Sequence, residues 1–276
     1  MWSTNEFPEK VFSTKTEMLK ELKANKQTLI AQKKMATKLA DPICSRPSIQ
    51  THEKDTNSKS ASDKPEDYEK IKVSLVINTT KLMDSHSDVH IDGIWNKSVK
   101  EKKDLYLLQE HQMKFHGIIT DEVKASVKEV TWKELGQAYS GKTQALVFDA
   151  EISKDRNPYM FEQYSKGRVK NHSVGMRYVK MELAVNDDDS YFEEEKANWD
   201  KFIDQVANKE EAIEQGYFWP VLEAKIIEGS AVPLGSNTAT PTLNMEPLKS
   251  TLNPEPSADD TQKEKLYNEI LTILRK

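Results

Sequence analysis

Apolar positions between residues 68 and 242 cluster into short runs separated by polar and turn-forming residues. Ile71 to Ile77, Leu105 to His111, Ala145 to Ile152, Val174 to Val185 and Val221 to Val232 have the length and composition of strands. Helical patterns interrupt them. One is predicted from Ile94 to Lys102, one opens at Asn157-Pro158 and stops at Gly167, and one runs from Trp199 to Gln215 before Gly216. Upstream, Thr14-x-x-Glu17 is a capping box ahead of Met18, Leu19, Leu22, Leu29 and Ile30, which predicts a helix with a thin apolar stripe. Pro42 to Asp67 carries no aromatic residue and almost no aliphatic one, so burial cannot offset the entropy of ordering it. Past Thr242 the Pro, Asn and Ser content rises, and Leu266, Ile270, Ile273 and Leu274 trace one face of a terminal helix.

Strands thus outnumber helices without regular crossovers, which favours a mostly antiparallel β-barrel or a β-rich α+β domain over a doubly wound sheet. The expected division is an N-terminal helix and disordered linker over 1–67, a folded domain over 68–242, and a flexible tail over 243–276 that ends in the amphipathic helix. A 276-residue chain that is 37% hydrophobic and 31% charged supports one core with polar appendages. The net charge of −5 argues against nucleic acid as the main ligand. No apolar run approaches the roughly 18 residues of a membrane span, and the first residues lack the basic-then-apolar order of a signal peptide, so an intracellular protein is expected. A single cysteine, Cys44, excludes an intramolecular disulfide framework and a Cys-rich zinc site.

Three patterns compete for chemistry. Gly136 to Thr143 matches the phosphate-binding G-x-x-x-x-G-K-[ST] motif, but a strand-like run, Ala145 to Phe148, follows where a helix is required, so a plain turn is expected. His86-Ser-Asp88-Val-His90 has metal-ligand residue types, yet no further ligand clusters with it, and a surface turn is the simpler reading. No metal or cofactor is therefore expected. The third pattern is dispersed: His111, Ser173 and Glu228 each sit on or at the end of an apolar run. If Leu105 to His111 is a strand, Leu105, Leu107, Gln109 and His111 share a face. Ser173 precedes Gly175 in a bulky strand, leaving room for a substrate backbone, and a carboxylate such as Glu228 in an apolar strand needs a partner. Serine becomes a nucleophile when a base takes its proton, and the base works best with an acid fixing its tautomer. These residue types suit acyl transfer, although each is also common as a structural residue.

Four segments in order carry a resemblance: Asp84-Ser-His-Ser-Asp88 through Gly93-Ile-Trp95, Leu107-Leu-Gln-Glu-His111, His172-Ser-Val-Gly175-Met176, and Ile227-Glu-Gly-Ser-Ala-Val232-Pro-x-Gly-x-Asn237. Over roughly residues 70 to 242 the chain resembles the prohead (capsid maturation) serine proteases of tailed bacteriophages, a family related in fold to the herpesvirus assemblins. That resemblance implies an α+β fold with a compact, mostly antiparallel β-barrel flanked by helices. The resemblance implies His111 as catalytic histidine, Ser173 as nucleophile and Glu228 as the acid. In assemblin relatives a second histidine fills the acid's role, which keeps His172 and His116 as alternatives. Backbone amides near Gly167-Arg168, or Arg168 itself, are candidate oxyanion donors. The implied activity is serine endopeptidase cleavage of scaffold and capsid precursors inside the assembling prohead in the host cytoplasm, with oligomers within the prohead. Self-cleavage is expected within Pro42–Asp67 and Leu243–Gln262. The alternative is a catalytically silent scaffold or assembly protein of the same fold, using its terminal segments as interaction arms.

Overall fold

The computed structural model of the protein describes residues 1–36, 68–102 and 104–249. The linker expected from Pro42 to Asp67 and the helix expected after Lys263 lie outside them. The chain opens with α1 (Lys15–Ala24) and α2 (Lys26–Met35). The predicted box caps α1: Thr14 Oγ1 accepts from the Glu17 amide at 3.1 Å, and Glu17 Oε2 accepts from the Thr14 amide at 3.3 Å. The apolar stripe is not the face of a separate arm. Met18, Leu19, Leu22, Leu29 and Ile30 are buried in the same core as the strands, so the expected boundary at residue 68 cuts through one packed unit.

Strand β1 (Tyr68–Thr79) alternates as a sheet wall should, turning Ile71, Val73, Leu75 and Ile77 to the core. After it come β2 (Asp88–His90), α3 (Asn96–Glu101), β3 (Leu107–Gln109), β4 (Ile118–Thr120), β5 (Val123–Thr131) and β6 (Lys142–Ser153). Helix α4 (Pro158–Ser165) starts as its sequence dictates, with Pro158 in the first turn and Asn157 Oδ1 accepting from the Met160 amide at 3.0 Å. It is followed by β7 (Asn171–Met181), β8 (Ala184–Val185), α5 (Glu193–Phe202), α6 (Lys209–Gln215), the 16-residue β9 (Tyr217–Val232) and β10 (Thr242–Lys249).

The fold is α+β. One sheet is antiparallel in the order β10-β1-β6-β5; the other centres on β9, which pairs antiparallel with β7 and β8 and parallel with β2 and β3, β4 lying beyond β3. The main core lies between them: Leu146, Phe148, Ala150 and Ile152 of β6 oppose Val174, Met176 and Tyr178 of β7 and Val221, Ala224 and Ile226 of β9. Among the described residues no helix is long and apolar enough to cross a membrane.

Several expectations change here. Residues 243–249, assigned to the flexible tail, form most of β10, paired with β1 from Tyr68↔Lys249 to Leu75↔Thr242. Pro247 fits because β10 is an edge strand, where a missing N–H can face away from the ladder. Asp88 to His90 is a buried strand rather than a surface turn: Asp88 accepts from Tyr178 Oη at 2.8 Å and Lys33 Nζ at 2.6 Å. No metal-holding group of three or more His, Cys, Asp or Glu side chains exists among the described residues. The acidic run is only partly solvated, since Glu195 in the first turn of α5 is fully buried against Lys23 at 2.6 Å and Lys26 at 2.7 Å. Gly136 to Gly141 lies in the β5–β6 connection, and Lys142 and Thr143 begin β6, with Lys142 paired to Glu129 at 2.6 Å.

Candidate active site

β3 ends at Gln109, two residues before His111, so the histidine is not on a strand face as expected from its alternation. The chain instead reverses in a turn closed by the Gln112 amide on the Gln109 carbonyl at 2.9 Å. Both central residues are left-handed, Glu110 at φ 50° and His111 at φ 58°. Non-glycine residues in this region each cost on the order of 1–3 kcal/mol and persist where surrounding bonds hold them. The bonds here are Glu110 N–H to the Ala231 carbonyl at 2.9 Å and His111 N–H to Ser230 Oγ at 3.1 Å, both on β9.

The turn aims the imidazole at β9. His111 Nδ1 lies 2.6 Å from Glu228 Oε1, a bond between residues 117 apart in sequence. A carboxylate only accepts, so Nδ1 carries the proton and Nε2 of the neutral ring is the basic nitrogen. Glu228 is 1% exposed, and its other oxygen accepts from Ser230 Oγ at 2.6 Å. Beside them Lys102 Nζ donates to the carbonyls of Ile226, at 3.1 Å, and of Ile227, placing a cation next to the acid. Burial lowers the Lys102 pKa, and Glu228 and Asp104 counteract that.

Ser173 reaches the same face through the β7–β9 register. It stands directly opposite Ser230, and Gly175 stands opposite Glu228, so all four project to one side of the sheet. Gly175 is required there: a Cβ on it would sit 2.0 Å from Glu228 Oε1. The space expected to admit a substrate backbone is therefore filled by the acid's own side chain. The structure thus brings His111 and Glu228 into direct contact and sets Ser173 one rung away. Among the described residues no hydrogen bond joins Ser173 to His111. Such bonds commonly tighten only when substrate is bound.

The alternative acids lie elsewhere. His172 points to the opposite face from Ser173, buried, with Nδ1 donating to the Thr240 carbonyl and Nε2 accepting from Tyr164 Oη, each at 3.1 Å. Burial drives its pKa down to about 4, so it is a neutral structural imidazole. His116 is exposed in the single 3-10 turn Phe115–Gly117 and is bonded to none of the three site residues among those described. The Gly167 and Arg168 amides, expected as oxyanion donors, close the C-terminus of α4 on the Tyr164 and Gln163 carbonyls at 2.7 and 2.9 Å. With Gly167 at φ 63° this is a Schellman cap, which consumes both amides. The Arg168 side chain is exposed.

Ser230 is the participant that sequence reasoning missed. Its signal was present in the two-residue spacing from Glu228, which puts both side chains on one face of a strand. Among known proteins, no family model matches the chain, nor does any curated protein or solved structure.

Proposed function

We propose that the chain is a serine endopeptidase of the prohead-maturation type, with the two sheets forming an assemblin-like barrel and with scaffold and capsid precursors as its substrates in the assembling prohead. The observation that carries this reading is the His111–Glu228 bond, formed across 117 residues on the sheet face that bears Ser173. It supplies a base with a fixed tautomer beside a serine set in a strand, the minimum that acyl transfer requires.

In this reading His111 Nε2 takes the Ser173 proton as Oγ attacks a peptide carbonyl. Glu228, already bonded to Nδ1, stabilises the imidazolium that results. The imidazolium then protonates the departing amine, leaving an acyl-enzyme ester on Ser173. Water, deprotonated by His111, attacks that ester, and the proton returns to Ser173 as the acid product leaves. General acid–base assistance of this kind is worth about 10²–10⁴-fold.

The second reading is a silent assembly protein of the same fold, in which the His111–Glu228–Ser230 bonds serve to hold the β3 turn on β9. A fluorophosphonate probe separates the two. Labelling confined to Ser173 and lost in both Ser173→Ala and His111→Gln is expected of the protease, with cleavage of co-expressed capsid precursor lost in the same variants. A folded wild-type protein that takes up no probe would establish the silent reading.

A further inference from the structure

Ser230 uses every hydrogen-bonding capacity that matters at this site. An amide N–H can only donate, so Oγ accepts from His111 N–H at 3.1 Å. The hydroxyl proton then goes to Glu228 Oε2 at 2.6 Å. One side chain, fully buried, therefore grips the backbone of the base and the carboxylate of the acid together. Its two partners are the ones most in need of restraint. His111 is held in a left-handed conformation that the chain would otherwise leave. Glu228 has a free choice of carboxyl rotation, a broad and soft torsion, until both oxygens are engaged.

We propose that Ser230 is a positioning residue of the site, fixing the carboxylate plane and the histidine turn so that Nε2 faces the rung occupied by Ser173; this rests on the protease reading above. Ser230 itself is not the nucleophile, because its proton is directed to a carboxylate rather than to an imidazole and its side chain has no access to solvent. The role is positional because, among the described residues, the Ser230 side chain hydrogen-bonds the base and the acid, while the reacting hydroxyl stands across the ladder on β7.

The test uses the full chain and two readouts. The first is the rate of fluorophosphonate labelling at Ser173 against probe concentration and pH. Ser230→Ala should lower the limiting labelling rate by 10- to 100-fold with little change in the probe concentration giving half-maximal rate. The midpoint of its pH profile should move downward, since a loosened Glu228 stabilises the imidazolium less. Ser230→Thr, which keeps the hydroxyl, should recover most of the rate and the midpoint. Ser230→Cys leaves no cavity, its sulfur being somewhat larger than the oxygen, but it is a poor donor; it should behave like Ala, and it replaces Ala should that variant fail to fold.

The second readout is the proton NMR resonance of His111 Nδ1–H, assigned by its loss in His111→Gln. It should be sharp in the wild type, weakened by exchange in Ser230→Ala and Ser230→Cys, and restored in Ser230→Thr. A fall in melting temperature with unchanged labelling rate, pH midpoint and resonance would reduce Ser230 to a core residue and overturn the proposal. Labelling that maps to Ser230 would also overturn it. If the wild type takes no label, the protease reading fails by itself, and the resonance still decides whether Ser230 sets the His111–Glu228 pair.

Discussion

A single methyl group at position 175 is expected to disarm the site. The Cβ of Gly175→Ala would lie 2.0 Å from Glu228 Oε1, so the carboxylate must shift from the position in which it meets His111. Displacement of a site group by an ångström or more costs roughly 100-fold in rate. Fluorophosphonate labelling of Ser173 should fall by about that factor while the folded far-UV signal persists; labelling at the wild-type rate would show that the carboxylate position is immaterial. His111, Ser173 and Glu228 stood out as polar residues in apolar runs, but the runs left each open as a structural residue and did not show that His111 and Glu228 meet. Ser230 did not stand out, since a hydroxyl's role is decided by which groups face it across a ladder. The turn at Glu110-His111 was equally opaque: neither residue is a turn former, and the left-handed backbone is imposed by bonds to β9 rather than by local preference.

Among the elements, the capping box, the Asn157-Pro158 helix start and the apolar runs that became β1 and β6 were readable locally. Partners of the N-terminal helices and of β10 were not, because the residues they meet are distant in sequence. Removing residues 1–36 withdraws Met18, Leu19, Leu22, Leu29 and Ile30 from the core. At about 1.5–3 kcal/mol for each large buried side chain, the loss approaches the whole stability of an ordinary domain. The truncated chain should be insoluble or lack a cooperative thermal transition; a soluble, active product would mean that the helices are appendages. Deleting residues 243–276 strips β10 from β1 and exposes a long strand edge. That chain should aggregate and lose probe labelling, in contrast to the harmless truncation expected if residue 243 began a tail. Retention of full labelling and a monomeric elution volume would show that β10 is dispensable.

Over the whole molecule, two titrating groups, the buried His172 and the half-buried Asp84, oppose each other. His172 has a pKa near 4 in the folded chain against 6.5 ordinarily, so the unfolded state binds more protons between these values, and the stability gained from keeping it neutral is lost as pH falls through that window. Asp84 runs the other way. Burial and the neighbouring Asp88 raise it from 3.8 to about 6, against the pull of His86 and Lys33, so its contribution is greatest in acid and is lost as pH rises toward 6. The two contributions have opposite slopes against pH over the range they share. In urea titrations, Asp84→Asn should gain stability with rising pH between 4 and 6.5, and His172→Gln should lose it. Slopes of the same sign in both variants would contradict this balance.

β9 makes the order of synthesis part of the chemistry. Every strand it pairs with, β2, β3, β7 and β8, is made before it. At ribosomal rates of about 5–20 residues per second, the 117 residues between His111 and Glu228 take on the order of 10 s to emerge. Ser173 emerges about midway through that interval, and for the 55 residues that then precede Glu228 the nascent chain holds serine and imidazole but neither the carboxylate nor Ser230. On the protease reading, a chain still short of β9 is therefore inert by sequence order, without an inhibitor, and acid and base meet only once β9 has emerged.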